Sequence, residues 1–192
     1  DQDKTIKSLY KDLSTSEYTH RLIQGDTGSG KTATILMAAN QCLANNQSCA
    51  LLAPTVILAH QHFLTFQKLS LFPDQISFVS VDSKPEITNK PTLFIGTHAL
   101  LEHLPQNLTP TLSFIAVDEQ HKFGVKQRES LQQRVPVPHI INLSATPIPR
   151  TVALGLLGDI KISNIKYKPQ NRLPIKTHVV SQSYFTKSTP WL

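Results

Sequence analysis

Eight residues in register constrain this chain more than any other feature: Gly25-Asp26-Thr27-Gly28-Ser29-Gly30-Lys31-Thr32 spells G-x-x-x-x-G-K-T. The short run Arg21-Leu22-Ile23-Gln24 before it reads as a strand. Lys31 to Asn45, rich in Ala, Leu, Ile and Met, reads as a helix that ends at Asn45-Asn46. Strand, glycine-rich loop and helix in that order make a cradle for phosphate. Gly25, Gly28 and Gly30 permit a backbone that turns successive N–H groups inward around an anion. The helix begun at Lys31 adds the positive end of its dipole. In such a loop Lys31 reaches the β- and γ-phosphates and Thr32 gives its hydroxyl to Mg²⁺, while Asp26, Thr27 and Ser29 complete the cradle. A nucleoside triphosphate with Mg²⁺ is the expected ligand.

A phosphate loop needs a second group for the metal. The apolar run Phe114-Ile115-Ala116-Val117 reads as a buried strand that ends on Asp118-Glu119. Asp118 is expected to hold Mg²⁺ through its water shell, and Glu119 to polarise the attacking water as general base. Two carboxylates at that point could instead cap a helix.

The rest of the chain alternates between strand-length apolar runs and helical stretches. Strands are expected at Ser48 to Ala53, Ile76 to Val81, Thr92 to Ile95, Leu112 to Val117, His139 to Leu143 and Ile162 to Tyr167. Helices are expected at Val56 to Leu69, Val125 to Arg134 and Thr151 to Leu157. That pattern predicts an α/β sandwich around a mostly parallel sheet, with ligands at the carboxyl ends of the strands.

Length and composition fit this reading. The 192 residues suit one domain, and 40% hydrophobic with 17% charged residues describes a soluble globular chain. No apolar run approaches the roughly 18 residues of a membrane span. The chain opens Asp1-Gln2-Asp3-Lys4, which reads as a piece of a longer cytoplasmic protein rather than a secretory leader. Cys42 and Cys49 have neither metal-ligand nor redox spacing and read as small buried side chains. Residues 1–120 carry 8 basic and 11 acidic groups, whereas residues 121–192 carry 11 basic and 2 acidic. Such asymmetry suits a surface that meets a polyanion, although lysines scattered over a solvated face give the same count. The tail from Lys168 reads as an exit linker, with the domain ending near residue 180 and 181–192 beyond it.

The loop at 25–32, Pro54-Thr55-Val56-Ile57-Leu58, Asp118-Glu119-Gln120-His121 and Ser144-Ala145-Thr146, in this order, resemble motifs I, Ia, II and III of superfamily 2 helicases. Gly96-Thr97-His98-Ala99-Leu100, Lys122-Phe123-Gly124-Val125 and Ala145-Thr146-Pro147-Ile148-Pro149-Arg150 bring the chain closest to the RecG family of branched-DNA translocases. The Mfd family of duplex translocases shares much of this. The resemblance implies a RecA-like three-layer P-loop NTPase fold. It implies an ATP-dependent DNA helicase lobe acting on forks and Holliday junctions in recombination and repair, with DNA and a second motor lobe as partners. A non-catalytic nucleotide- or DNA-binding module is the alternative of a different class.

The family also implies roles for single residues. Gln2, with Ile6, Leu9 and Leu13 at helical spacing after it, falls where the family places a glutamine that reads adenine, which favours ATP. Pro54, Thr55, Gly96, Thr97 and His98 fall in loops that touch the nucleic-acid backbone, although Thr55 would equally cap a helix. Ser144 and Thr146 would bond the segment from Asp118 to His121 and report the γ-phosphate state, or form a local turn. Gln120, His121 and Phe123 extend the acidic box, Phe123 as a stacking aromatic or as core. Arg150 would bind DNA or brace its loop. His60 and His62, two apart on a helix, face different ways and do not make a metal site. Two departures stand out. The link from Asp82 to Pro91 is shorter than the family's DNA-contacting stretch, and Thr27 stands where Val is usual. The arginine finger of the family belongs to its second lobe, and such a finger is worth about 10³–10⁵ in turnover.

Overall fold

The computed structural model describes residues 1–80, 89–105, 108–118, 136–146 and 160–166. Helix α1 (Gln2–Leu13) leads into β1 (His20–Gly25), α2 (Lys31–Ala44), β2 (Ser48–Leu52) and α3 (Val56–Leu69). After a 3₁₀ turn at Pro73–Gln75 come β3 (Ile76–Val79), β4 (Leu93–Gly96), the short α4 (Leu100–His103), β5 (Leu112–Asp118), β6 (His139–Ser144) and β7 (Lys161–Ile165). The expected helices at 125–134 and 151–157, and the tail from 168 with its boundary at 180, lie outside the described residues.

Helix ends follow local chemistry. Asn46 takes φ +57, and α2 closes on it with Gln47 N–H donating to Cys42 O and Asn46 N–H to Leu43 O, the paired bonds of a left-handed helix stop. Thr55 caps α3 by accepting from the Leu58 N–H at 3.3 Å. At the other end of α3, Asn40 Oδ1 accepts from Ser70 Oγ and from the Leu71 N–H.

Among the described residues seven strands lie in the order β3-β4-β2-β5-β6-β1-β7, and each of their pairings is parallel. A parallel sheet needs cover on both faces, and alternate residues of each strand enter different cores. Cys49, Leu51 and Ala53 pack with Ile23, Phe114 and Ala116 beneath residues of α1, α2 and α3. Ala50 and Leu52 pack with Phe94, Ile115 and Val117 against Leu100, Leu101 and Leu104 of the α4 segment. Both cysteines are buried free thiols, and burial pushes the Cys42 thiol up to about 11.

Polar groups tie down the ends of the sheet. Buried Asp12 of α1 accepts from Arg21 Nε of β1 and, at 2.9 Å, from Lys161 Nζ of β7. Burial alone would raise the Asp12 carboxyl, but the bonds and charges of Arg21 and Lys161 outweigh it and hold it below its ordinary value. At the amino ends of β1 and β6, His139 Nδ1 accepts from the Thr19 N–H and from Thr19 Oγ1. No described helix is long and apolar enough to cross a membrane.

Candidate nucleotide site

Five strand ends bring the motifs together along the carboxyl edge of the sheet. β1 runs into the glycine loop at Gly25. Beside it in β6, Leu143 pairs with Ile23 and Ser144 with Gln24. Beyond β6, Asp118 of β5 pairs with Leu143, so Asp118 lies two strand spacings, about 10 Å, from β1 at the foot of the loop. On its other side β5 meets β2 with Val117 opposite Leu52, and the Ala53 N–H donates to Gly96 O of β4 at 2.8 Å. That bond sets the Pro54-Thr55 turn next to the Thr97-His98 turn. Two sequence segments more than forty positions apart thus share one edge.

The loop has the backbone a phosphate cradle requires. Gly28 and Gly30 have φ of +79 and +93, the region that favours glycine. Gly25 is needed for a different reason. A Cβ there would lie 2.5 Å from Ser29 Oγ and 2.9 Å from Ile165 O of β7. Asp26 shapes the turn from within: its Oδ1 accepts from the Thr27 N–H at 2.8 Å, and its carbonyl accepts from the Ser29 N–H at 3.0 Å. Lys31 folds its ammonium back onto the loop, donating to Gly25 O at 2.7 Å and Asp26 O at 3.1 Å. Buried Ser29 Oγ has no hydrogen-bond partner among the described residues. Thr32 stands in the first turn of α2. A loop with two left-handed glycines, a cation held at its mouth and a buried hydroxyl without a partner among the described residues fits a triphosphate.

Gln2 reaches this loop across 27 positions of sequence. Its Nε2 donates to Ser29 O at 2.8 Å, and a Cβ on Gly30 would run into the same amide. The amino-terminal helix is therefore in direct contact with the loop. A cleft of about 510 Å³ opens beside the loop, lined by Gln24, Gly25, Asp26, Ala145, Asn164 and Lys166 among others.

Asp118 has a partner that reading along the chain did not find. His62 of α3 places Nε2 3.0 Å from Asp118 Oδ2. Fifty-six positions separate the two, so no local pattern could announce the contact. The different facing of His60 and His62 was legible: the His60 ring stands edge-on to Phe78 at 5.4 Å. Ser144 forms the local turn that is the alternative to a relay, while most of the segment it would report to, residues 119–121, lies outside the described residues. Among the described residues its hydroxyl bonds Thr146, at 2.9 Å to the carbonyl and 3.1 Å to Oγ1, and accepts from the Thr146 N–H. A serine two residues before a free N–H closes a local turn more readily than it reaches the neighbouring strand. Glu119, Gln120, His121, Phe123 and Arg150 lie outside the described residues.

A family model described as "DEAD/DEAH box helicase" matches residues 1–154. The chain belongs to that family. Within it, the "ATP-dependent DNA helicase RecG" of Treponema pallidum is 38% identical over 201 residues, covering 95% of this chain and 29% of that protein. The RecG of Synechocystis sp. is 36% identical over 190 residues, covering 94% of this chain and 23% of that protein. This DEAD/DEAH box domain therefore spans about a quarter of the length of the relatives it matches. Among solved structures, one of RecG bound to a three-way DNA junction superposes with a TM-score of 0.77 at 24% identity, covering 99% of this chain and 26% of that one. A DEAD box protein from Methanococcus jannaschii gives 0.63 at 24% identity, covering 86% and 49%. These likenesses speak for the fold, a RecA-like P-loop NTPase sheet.

Proposed function

We propose that this chain is the ATP-binding and ATP-hydrolysing lobe of a RecG-like DNA helicase that remodels branched DNA such as forks and Holliday junctions. The observation that supports it most is the phosphate loop, formed with Gly28 and Gly30 at positive φ and Lys31 at its mouth, on the same sheet edge as Asp118. Lys31 exchanges the Gly25 and Asp26 carbonyls for phosphate oxygens, which carry more negative charge. Gln2, already at the loop, offers an amide that both donates and accepts, as an adenine edge requires. Thr32 and Asp118 would hold Mg²⁺, Asp118 through water, and Glu119 would take the proton of the attacking water. The ion bound there would supply positive charge against the negative charge that develops on the phosphates. Pro54, Thr55, Gly96, Thr97 and His98 contact the DNA backbone. The short hydroxyls of Thr55 and Thr97, on turns at the ends of β2 and β4, suit positioning without sequence readout.

Replacing Lys31 by Ala tests the site. Titration with a fluorescent ATP analogue is expected to show measurable binding for the native chain and none for Lys31→Ala. Equal affinity for the two would remove the phosphate-loop assignment.

A further inference from the structure

We propose that His62 is a positioning residue for Asp118: its Nε2–H holds one carboxylate oxygen, orients the other toward metal-bound water, and joins the metal site to helix α3. This rests on the reading of Asp118 as the Mg²⁺ group. An ionised carboxylate only accepts, so Nε2 carries the proton and donates to Oδ2 across 3.0 Å. Both side chains are largely enclosed, 15% exposed for His62 and 18% for Asp118. A charge-assisted bond in such surroundings fixes a rotamer where a water-exposed one would not. The imidazole is itself braced, with its ring 6.3 Å from that of Phe66, a fully enclosed core residue one turn further along α3. With Oδ2 committed to His62, Oδ1 is the oxygen left for the metal's water shell.

The contact also has a mechanical consequence. Helix α3 starts at the Thr55 cap, in the turn assigned to the DNA backbone. His62 lies seven residues on, about 10 Å along the helix. A rigid helix of 14 residues thus connects the Pro54-Thr55 turn to the carboxylate, and a displacement of the turn displaces the donor of Asp118.

The test measures affinity for a fluorescent ATP analogue with Mg²⁺ and again with EDTA, on the full chain and on three variants. Mg²⁺ is expected to tighten binding to the native chain. His62→Leu is expected to lose about tenfold of that tightening, the usual worth of one hydrogen bond to a charged group, while affinity in EDTA stays unchanged. His62→Gln, which offers an amide N–H at similar reach, is expected to recover most of the loss. Asp118→Asn separates the two levels of the reading. If it leaves the Mg²⁺ effect intact, Asp118 is not the metal group and the proposal falls with that assignment. If Asp118→Asn removes the effect and His62→Leu does not, the role of His62 alone is overturned. Equal losses with Mg²⁺ and with EDTA in His62→Leu, or failure of His62→Gln to recover, would mark His62 as packing only.

Discussion

At the scale of single residues, the three loop glycines are required for two distinct reasons. Gly28 has open space where a Cβ would go, so Gly28→Ala meets only the strain of φ +79, about 1–2 kcal/mol. Gly30 combines φ +93 with an amide in the way, because its Cβ would strike Gln2. Gly30→Ala is therefore expected to cost at least as much stability and, in addition, to weaken ATP-analogue binding by expelling Gln2. Urea denaturation read beside nucleotide titration distinguishes the pair. If both variants lost affinity equally, Gln2 would have no part in the site. The spelling G-x-x-x-x-G-K-T announces the loop, but it does not say which glycine meets which obstacle.

Elements are held in place by a few buried polar contacts. Asp12 joins α1 to β1 and β7, and its two partners differ in burial. The Arg21 side chain is 10% exposed, and that of Lys161 is 52% exposed. Asp12→Ala strands the Arg21 charge and is expected to cost about 3–5 kcal/mol in urea denaturation. Lys161→Ala should cost no more than about 1 kcal/mol, since that ammonium already meets water. Similar losses in the two variants would refute this division. The Asp12 carboxyl is held below its ordinary value, so its contribution is present above the usual carboxylate range and disappears as the pH falls through the lowered one. Reading along the chain registered none of this, because Asp12, Arg21 and Lys161 meet only once β7 lies against β1. The elements were more legible: α3 begins and ends where its pattern places it, and Asn46 stops α2. The four-residue α4 is too short to carry a period.

For the whole molecule, acid stability has a second origin in His139. Burial lowers its pKa, and with the charge of Lys161 it outweighs the nearby Asp12 carboxylate, which would raise it. The native state therefore keeps the ring neutral with Nδ1 accepting from Thr19, while the unfolded chain takes up the proton first. Stability from this group is complete above the ordinary histidine range, near 6.5, and is lost as the pH falls from there toward the lowered value. Replacing His139 by Asn should flatten the pH dependence of stability just below the ordinary histidine range, measured as urea midpoints. An unchanged slope would contradict the assignment. Under the proposed function, fast hydrolysis requires a second motor lobe. A version extended through a second motor lobe is expected to hydrolyse ATP at least about 10³-fold faster than this domain alone, the low end of an arginine finger's contribution. Brisk DNA-stimulated turnover by the 192 residues alone would show that no such partner is needed.

The sequence by itself determined the local features of this protein. Strand, loop and helix around Lys31, the apolar run ending at Asp118, and the caps at Thr55 and Asn46 each depend on residues within one turn or one strand of each other. Short-range sterics and hydrogen bonding decide such features. Only the tertiary structure decided what these motifs touch. The β1-β6-β5 order sets Asp118 beside the loop, and α1 carries Gln2 onto Ser29. Packing of α3 brings His62 to Asp118, while Ser144 turns to Thr146. Each of those contacts except the last joins positions far apart in the chain. They are fixed by how helices cover a parallel sheet rather than by any pattern along it.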